Sequence, residues 1–256
     1  MTLPGPAALL AVLAVTTACR ESKPALDPAM TSCIPRGTVV VAGLDLEAIR
    51  AAPVYSKLPP PVLALIESLQ RAHYAILAFD GHDLLAISRG PFAEPPPGAT
   101  LLTPHLAIAG PAGLVRAATS QYGTGTTGVP DLVEPAKVLA GAKPIWIVVR
   151  GSGVIPLGGN SANLNRLLHA TRHTTVAVEL RERLDLEVTA LCLTPDAGRE
   201  FEQSLRAILT LTATANARQP VLAALLRSIQ IRRDDRTVHV TVAVAADDLD
   251  GLLQAF

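Results

Sequence analysis

The stretch Thr174–Leu193, TTVAVELRERLDLEVTALCL, decides the fold class. Val176, Val178 and Leu180 alternate onto one face of a first strand, and Leu184, Leu186, Val188, Ala190 and Cys192 onto one face of a second. A period of two sends successive side chains to opposite sides of a strand, so the two runs predict a long hairpin with one buried face, turning at Arg181-Glu182-Arg183. A second hairpin is read at Ile229–Arg233 and Thr237–Val244 across Asp234-Asp235. Val238, Val240, Val242 and Val244 point inward there, and His239 and Thr241 outward. A third joins His73–Phe79 to Leu84–Arg89 through Asp80-Gly81-His82-Asp83, where Asp-Gly suits a tight turn.

Further strands are expected at Thr38–Leu44, His105–Ala109 and Ile145–Val149. Helices are expected at Leu46–Ala51 behind an Asp45 cap, Val62–Gln70, Pro111–Gln121, Pro130–Leu139, Asn163–Ala170 and Pro220–Arg227. Another follows Thr194-Pro195, with Phe201, Leu205, Ile208, Leu209 and Thr212 as its apolar stripe, and Asp247 caps a closing helix Asp248–Ala255. Pro91–Pro97 is read as a proline-rich loop. Helices bunched in pairs between hairpins predict an α+β fold, a mixed or mainly antiparallel sheet covered by paired helices. A weak echo pairs Ala109–Gly113 with Leu193–Ala197 and Val41–Glu47 with Val244–Asp250. It leaves open two tandem related halves, 37–155 and 156–256.

The composition narrows the function. Of 256 residues, 22 are basic and 22 acidic, so the net charge is zero; 49% are hydrophobic and only 3% aromatic. The hydrophobic fraction excludes a disordered chain. Charge balance argues against nucleic acid as a partner, since that needs a clustered cationic surface. Scarce aromatics argue against grooves that stack sugars or bases.

The N-terminus carries the clearest address. Ala7–Ala18, AALLAVLAVTTA, is an unbroken run of small and apolar residues. As a helix it would span roughly 18 Å, short of a ~30 Å hydrocarbon core but suited to a secretory signal. Thr16, Thr17 and Ala18 lead directly into Cys19. This resembles the lipobox of bacterial lipoproteins, although Thr16 stands where Leu is usual and no Lys or Arg precedes the run. The resemblance implies a signal peptide over 1–18, diacylglyceride and palmitate on Cys19, and a membrane anchored through the N-terminal lipid. Arg20 rather than Asp after the cysteine implies the outer membrane over the inner. Residues 19–36, with mixed charges and prolines, read as a lipidated tether, and 37–256 as the body. The body is loosely similar to uncharacterised exported lipoproteins of high-GC bacteria, a similarity that transfers no functional residue.

No catalytic or cofactor signature is complete. Gly123-Thr124-Gly125-Thr126-Thr127-Gly128 matches G-x-G-x-x-G, but a helix rather than a strand precedes it, so it reads as a helix–helix loop. Ser161 in Gly159-Asn160-Ser161-Ala162-Asn163 lacks the tight strand-to-helix turn of a nucleophile elbow. His169 and His173 have zinc spacing, but Ala170 stands where the catalytic Glu belongs. Asp80, His82 and Asp83 are turn residues, and His239 is a surface histidine. Cys33 and Cys192 are a weak candidate for a disulfide in an oxidising compartment. Arg227, Arg232, Arg233 and Arg236 gather around the last hairpin as a weak candidate for contact with an acidic surface.

The expectation is therefore a lipid-anchored exported envelope protein with a non-catalytic binding or structural role, using no cofactor and no metal, with an envelope protein as its candidate partner. The alternatives are an envelope hydrolase with an unrecognised site and a non-lipidated secreted or periplasmic accessory domain.

Overall fold

The computed structural model describes residues 26–245 apart from 59, 70, 154–161 and 216–219. Ten strands form one sheet in which every neighbouring pair is antiparallel. The strands are β1 (Val40–Asp45), β2 (Tyr74–Phe79), β3 (Leu84–Arg89), β4 (Ala99–Thr103), β5 (Leu106–Ala109), β6 (Ile145–Arg150), β7 (Thr171–Leu180), β8 (Arg183–Cys192), β9 (Gln230–Asp234) and β10 (Thr237–Ala245). The helices are α1 (Pro28–Thr31), α2 (Leu46–Ala51), α3 (Pro60–Ser68), α4 (Ala112–Tyr122), α5 (Pro130–Ala140), α6 (Ala162–His169), α7 (Pro195–Ala215) and α8 (Pro220–Ser228). The α+β architecture matches the expectation from sequence. The expected closing helix Asp248–Ala255 lies outside the described residues.

Several local expectations are realised by the predicted chemistry. The Ala48 amide donates to Asp45 Oδ1 at 2.9 Å, capping α2, and the Ala197 amide donates to Thr194 Oγ1 at 3.1 Å at the start of α7. Gly81 takes φ of +106° in the β2–β3 turn. β4 was not anticipated. It pairs with β5 through a register shift between Leu101 and Thr103, and its five residues lack a clean alternation of buried and exposed positions.

The strand order is β4-β5-β3-β2-β1-β6-β7-β8-β10-β9. Outward from the central β1–β6 pair, both halves run first, second, third, fifth, fourth. The halves share one topology, and the pattern divides between β5 and β6. The sequence echo does not coincide with it. Topology makes β3 the counterpart of β8 and β5 that of β10, so Gly90-Pro91, not Gly110-Pro111, corresponds to Thr194-Pro195.

The two sheet faces differ. On one, α1, α4 and α5 pack over β1, β2, β3, β5 and β6, burying Met30, Ile34, Val41, Ile76, Ile87, Ile108, Leu132, Trp146 and Val148. Trp146 is 0% exposed and lies against Gly43 of β1, where a Cβ would come within 2.2 Å of the indole. Only glycine leaves room for this ring at the centre of the sheet. The indole nitrogen donates to Tyr74 Oη at 2.8 Å, so its one polar atom is satisfied. On the other face, α2, α3 and α8 pack over Ala75, Ala107, Val178, Leu180 and Val244. α6 and α7 cover Ala190, Cys192 and Val238 there, with Phe201 and Leu167 buried between. Phe201 thus sits where its stripe predicted, but Ile208 is exposed. Further along α7, Leu211 is 71% exposed.

The tether requires a correction. Leu26, Met30, Cys33 and Ile34 are buried in the first core, and α1 is capped by Asp27 Oδ1, which accepts from the Ala29 amide at 2.9 Å. The segment expected to remain a linker through Arg36 belongs to the body from Leu26 onward. The sequence hid this because α1 is a single turn, too short for any apolar period.

Candidate functional site

Each candidate residue has a definite place. Cys19, Ser161 and its neighbours Gly159 and Asn160 lie outside the described residues. Cys33 and Cys192 are free, buried thiols in separate clusters on opposite sheet faces. The weakly expected disulfide does not form, because the ten-stranded sheet stands between them. Burial pushes the Cys33 thiol up to about 12, and it raises Cys192 as well. Both behave as small hydrophobes, and the Cys33 thiol donates to the Ala29 carbonyl at 3.3 Å.

The glycine-rich loop joins α4 to α5 as expected. Gln121 donates to Thr124 Oγ1 and to the Thr126 carbonyl, closing the loop on itself. Gly128 has another task. Its amide donates to the Ile34 carbonyl at 3.0 Å, and a Cβ there would meet Arg36, Ile34 and Pro35 backbone within 2.8 Å. The glycine lets the loop clamp the segment that follows α1.

His169 ends α6 while His173 sits on β7, so the pair shares no helix. Asp80 Oδ1 accepts from the His82 and Asp83 amides at 2.8 Å each, and these bonds hold its carboxyl below the usual range. It is the scaffold of a turn. His239 on β10 is hydrogen-bonded with Thr189 of β8 across the sheet at 3.2 Å. Among the described residues no group of three or more His, Cys, Asp or Glu side chains could hold a metal ion.

The four arginines near the last hairpin are divided. Arg233 faces the helices and donates to Glu202 Oε2 of α7 at 3.0 Å. Arg232, its neighbour on the strand, points to the opposite face, and Arg236 sits exposed at the turn. Arg227 lies on α8, where it meets Arg206 of α7 across a cleft of about 520 Å³. Leu209, Ala213, Leu226, Ile229 and Ile231 line it together with Thr210 and Thr214, so its wall is mixed polar and apolar. Arg206 is engaged with Glu202 and with the Ile231 carbonyl at 2.8 Å. The four arginines therefore form no single patch; Arg227 instead shares with Arg206 the lining of a cleft between α7 and α8.

A second hollow, about 390 Å³, was not singled out from sequence. His73, Arg89, Gly90, Pro91 and His105 line it, where β2 and β5 begin and β3 ends. His73 Nδ1 pairs with Glu47 Oε1, and Arg89 pairs with Asp27 Oδ2. A carboxylate holding an imidazole is half of a nucleophile-activating arrangement, but among the described residues no Ser, Thr or Cys lines the hollow. Only the fold joins these residues, which are separated by up to 78 positions in sequence between Asp27 and His105.

No protein-family model and no curated protein matches the chain. Among solved structures it is similar to TP0453. Crystal form III gives a TM-score of 0.50 at 8% identity, over 88% of this chain and 98% of that one. Crystal form I gives 0.49 at 11% identity, over 91% and 98%. The likeness is one of fold. Among the described residues no helix is long and apolar enough to cross a membrane.

Proposed function

We propose that this chain is an exported protein of the bacterial envelope, anchored by lipid on Cys19 in the outer membrane, whose body binds a partner or supports structure without catalysing a reaction. The apolar run Ala7–Ala18 ending at Cys19 carries this reading. The segment is too short to span a bilayer and places a thiol where lipidation would act. The absence of catalysis is argued from how the candidate polar groups are used. Asp80 spends its carboxylate on turn amides, and His169 and His173 belong to different elements.

Two experiments test the reading. Cys19→Ala is expected to abolish incorporation of labelled fatty acid and to release the protein from membranes; unchanged labelling would refute the anchor. Purified protein screened against ester, peptide, phosphate and glycoside substrates, with metals added, is expected to give no turnover. A turnover lost on mutating Ser161, His169 or Asp80 would instead make the protein a hydrolase.

A further inference from the structure

Leu26 is buried and Asp27 is fixed twice, by the Ala29 amide and by Arg89. The point where the chain enters the body is therefore set, at the end of β3 beside the hollow lined by His73, Arg89 and His105. Seven residue steps separate Cys19 from Leu26. Their reach is at most roughly 25 Å, the fully extended length.

We infer that the sheet corner formed by His73, Arg89, Pro91 and His105 is the face that rests on the phospholipid head groups. The inference builds on lipidation of Cys19 and adds an orientation to it. The diagonally opposite corner is the β9–β10 turn at Asp235-Arg236. It lies at the other end of the strands and between six and seven strand intervals from β3, roughly 30 Å across the sheet at ~4.8 Å per interval. That breadth exceeds the tether's reach, so attachment beside β3 biases which part of the body meets the membrane. The side chains at the near corner suit a head-group layer. His73, Arg89, Pro91 and His105 are exposed; Glu47 holds His73 through Nδ1 and Asp27 holds Arg89 through one guanidinium nitrogen, and their other N–H groups, with the His105 ring, can donate to phosphate. Phe92 beneath them is buried, so contact is polar and shallow rather than an insertion.

The test uses full-length lipidated protein purified from membranes and reconstituted into phosphatidylethanolamine–phosphatidylglycerol vesicles carrying a head-group quencher. Fluorophores are attached at His105→Cys in one sample and Arg236→Cys in another; Cys33 and Cys192, being buried, leave the labelling selective. Quenching is expected to be several-fold stronger at 105 than at 236. A long Gly/Ser insert between Cys19 and Leu26 should erase that difference while the protein stays membrane-bound. Equal quenching at the two positions, or stronger quenching at 236, in protein that carries lipid would overturn the orientation. Protein that carries no lipid and leaves the vesicles would overturn the anchor itself.

Discussion

The two halves of the sheet share a strand order and differ in thickness. β1, β2, β3 and β5 are covered on both faces, by α1, α4 and α5 on one side and α2 and α3 on the other. Among the described residues, the helices packed on β8, β9 and β10 are α6, α7 and α8, all on the same face. Their other face carries Glu187, Thr189, Arg232, His239 and Thr241. The sequences already differ in this way. β2 reads YAILAF and β5 LAIA, continuous apolar runs of strands buried on both sides. β10 reads TVHVTVAVA and β8 RLDLEVTALC, where apolar residues recur at every second position. Among the described residues, one topology thus carries helices on both faces over β1, β2, β3 and β5 and on one face over β8, β9 and β10, in step with the side-chain period.

The comparison can be broken most sharply at Trp146. Trp146 comes from β6 but packs into the core under α1, α4 and α5; Trp146→Ala opens a cavity over Gly43 and removes the donor to Tyr74 Oη, so the expected loss is about 3–5 kcal/mol in urea unfolding. A loss below about 1 kcal/mol would show that the two-sided core does not govern stability. Phe201→Ala tests the part built on β8, β9 and β10. Phe201 is 6% exposed under α7 in a smaller cluster, and the expected loss is nearer 3 kcal/mol. A melting temperature equal to wild type would mean that α7 does not pack on its sheet.

Alkali sharpens the contrast. Burial pushes Cys33 and Tyr74, both in the part built on β1, β2, β3 and β5, up to about 12. A folded value above the unfolded one means stability fully present below pH 9 and lost as pH rises toward 12. Cys33→Ala should flatten part of that decline, and an identical pH profile would contradict it. In the other half, partners hold Glu179 and Glu202 below the ordinary carboxylate range: Lys143 and Arg181 act on the first, Arg206 and Arg233 on the second. Their contribution is present at neutral pH and fades as pH falls through that lowered range; at exposed pairs it is small. The smallest effect is expected on the bare face, where Thr241→Val should change stability by less than about 0.5 kcal/mol. A larger loss would mean that this face is covered.

The strongly patterned elements were legible in the sequence. The Thr174–Leu193 hairpin, the valine face of β10, the Asp45 and Thr194 caps and the Asp-Gly turn all follow from local rules, and the structure places each where those rules put it. What escaped was short or non-local. α1 is one turn, and β4 lacks alternation. The clasp of Asp27 on Arg89 joins residues 62 positions apart, which no local pattern can announce. The arginines failed as a patch because adjacent residues of a strand point to opposite faces, so Arg232 and Arg233 cannot act together.

The thicker half also receives the chain from its N-terminus, so the account turns on what that terminus carries. Intact-mass and peptide mass spectrometry of protein purified from bacterial membranes tests this directly. The expected result is a first residue Cys19 bearing a diacylglyceryl group. An N-terminus elsewhere, or an unmodified Cys19 on membrane-bound protein, would contradict it.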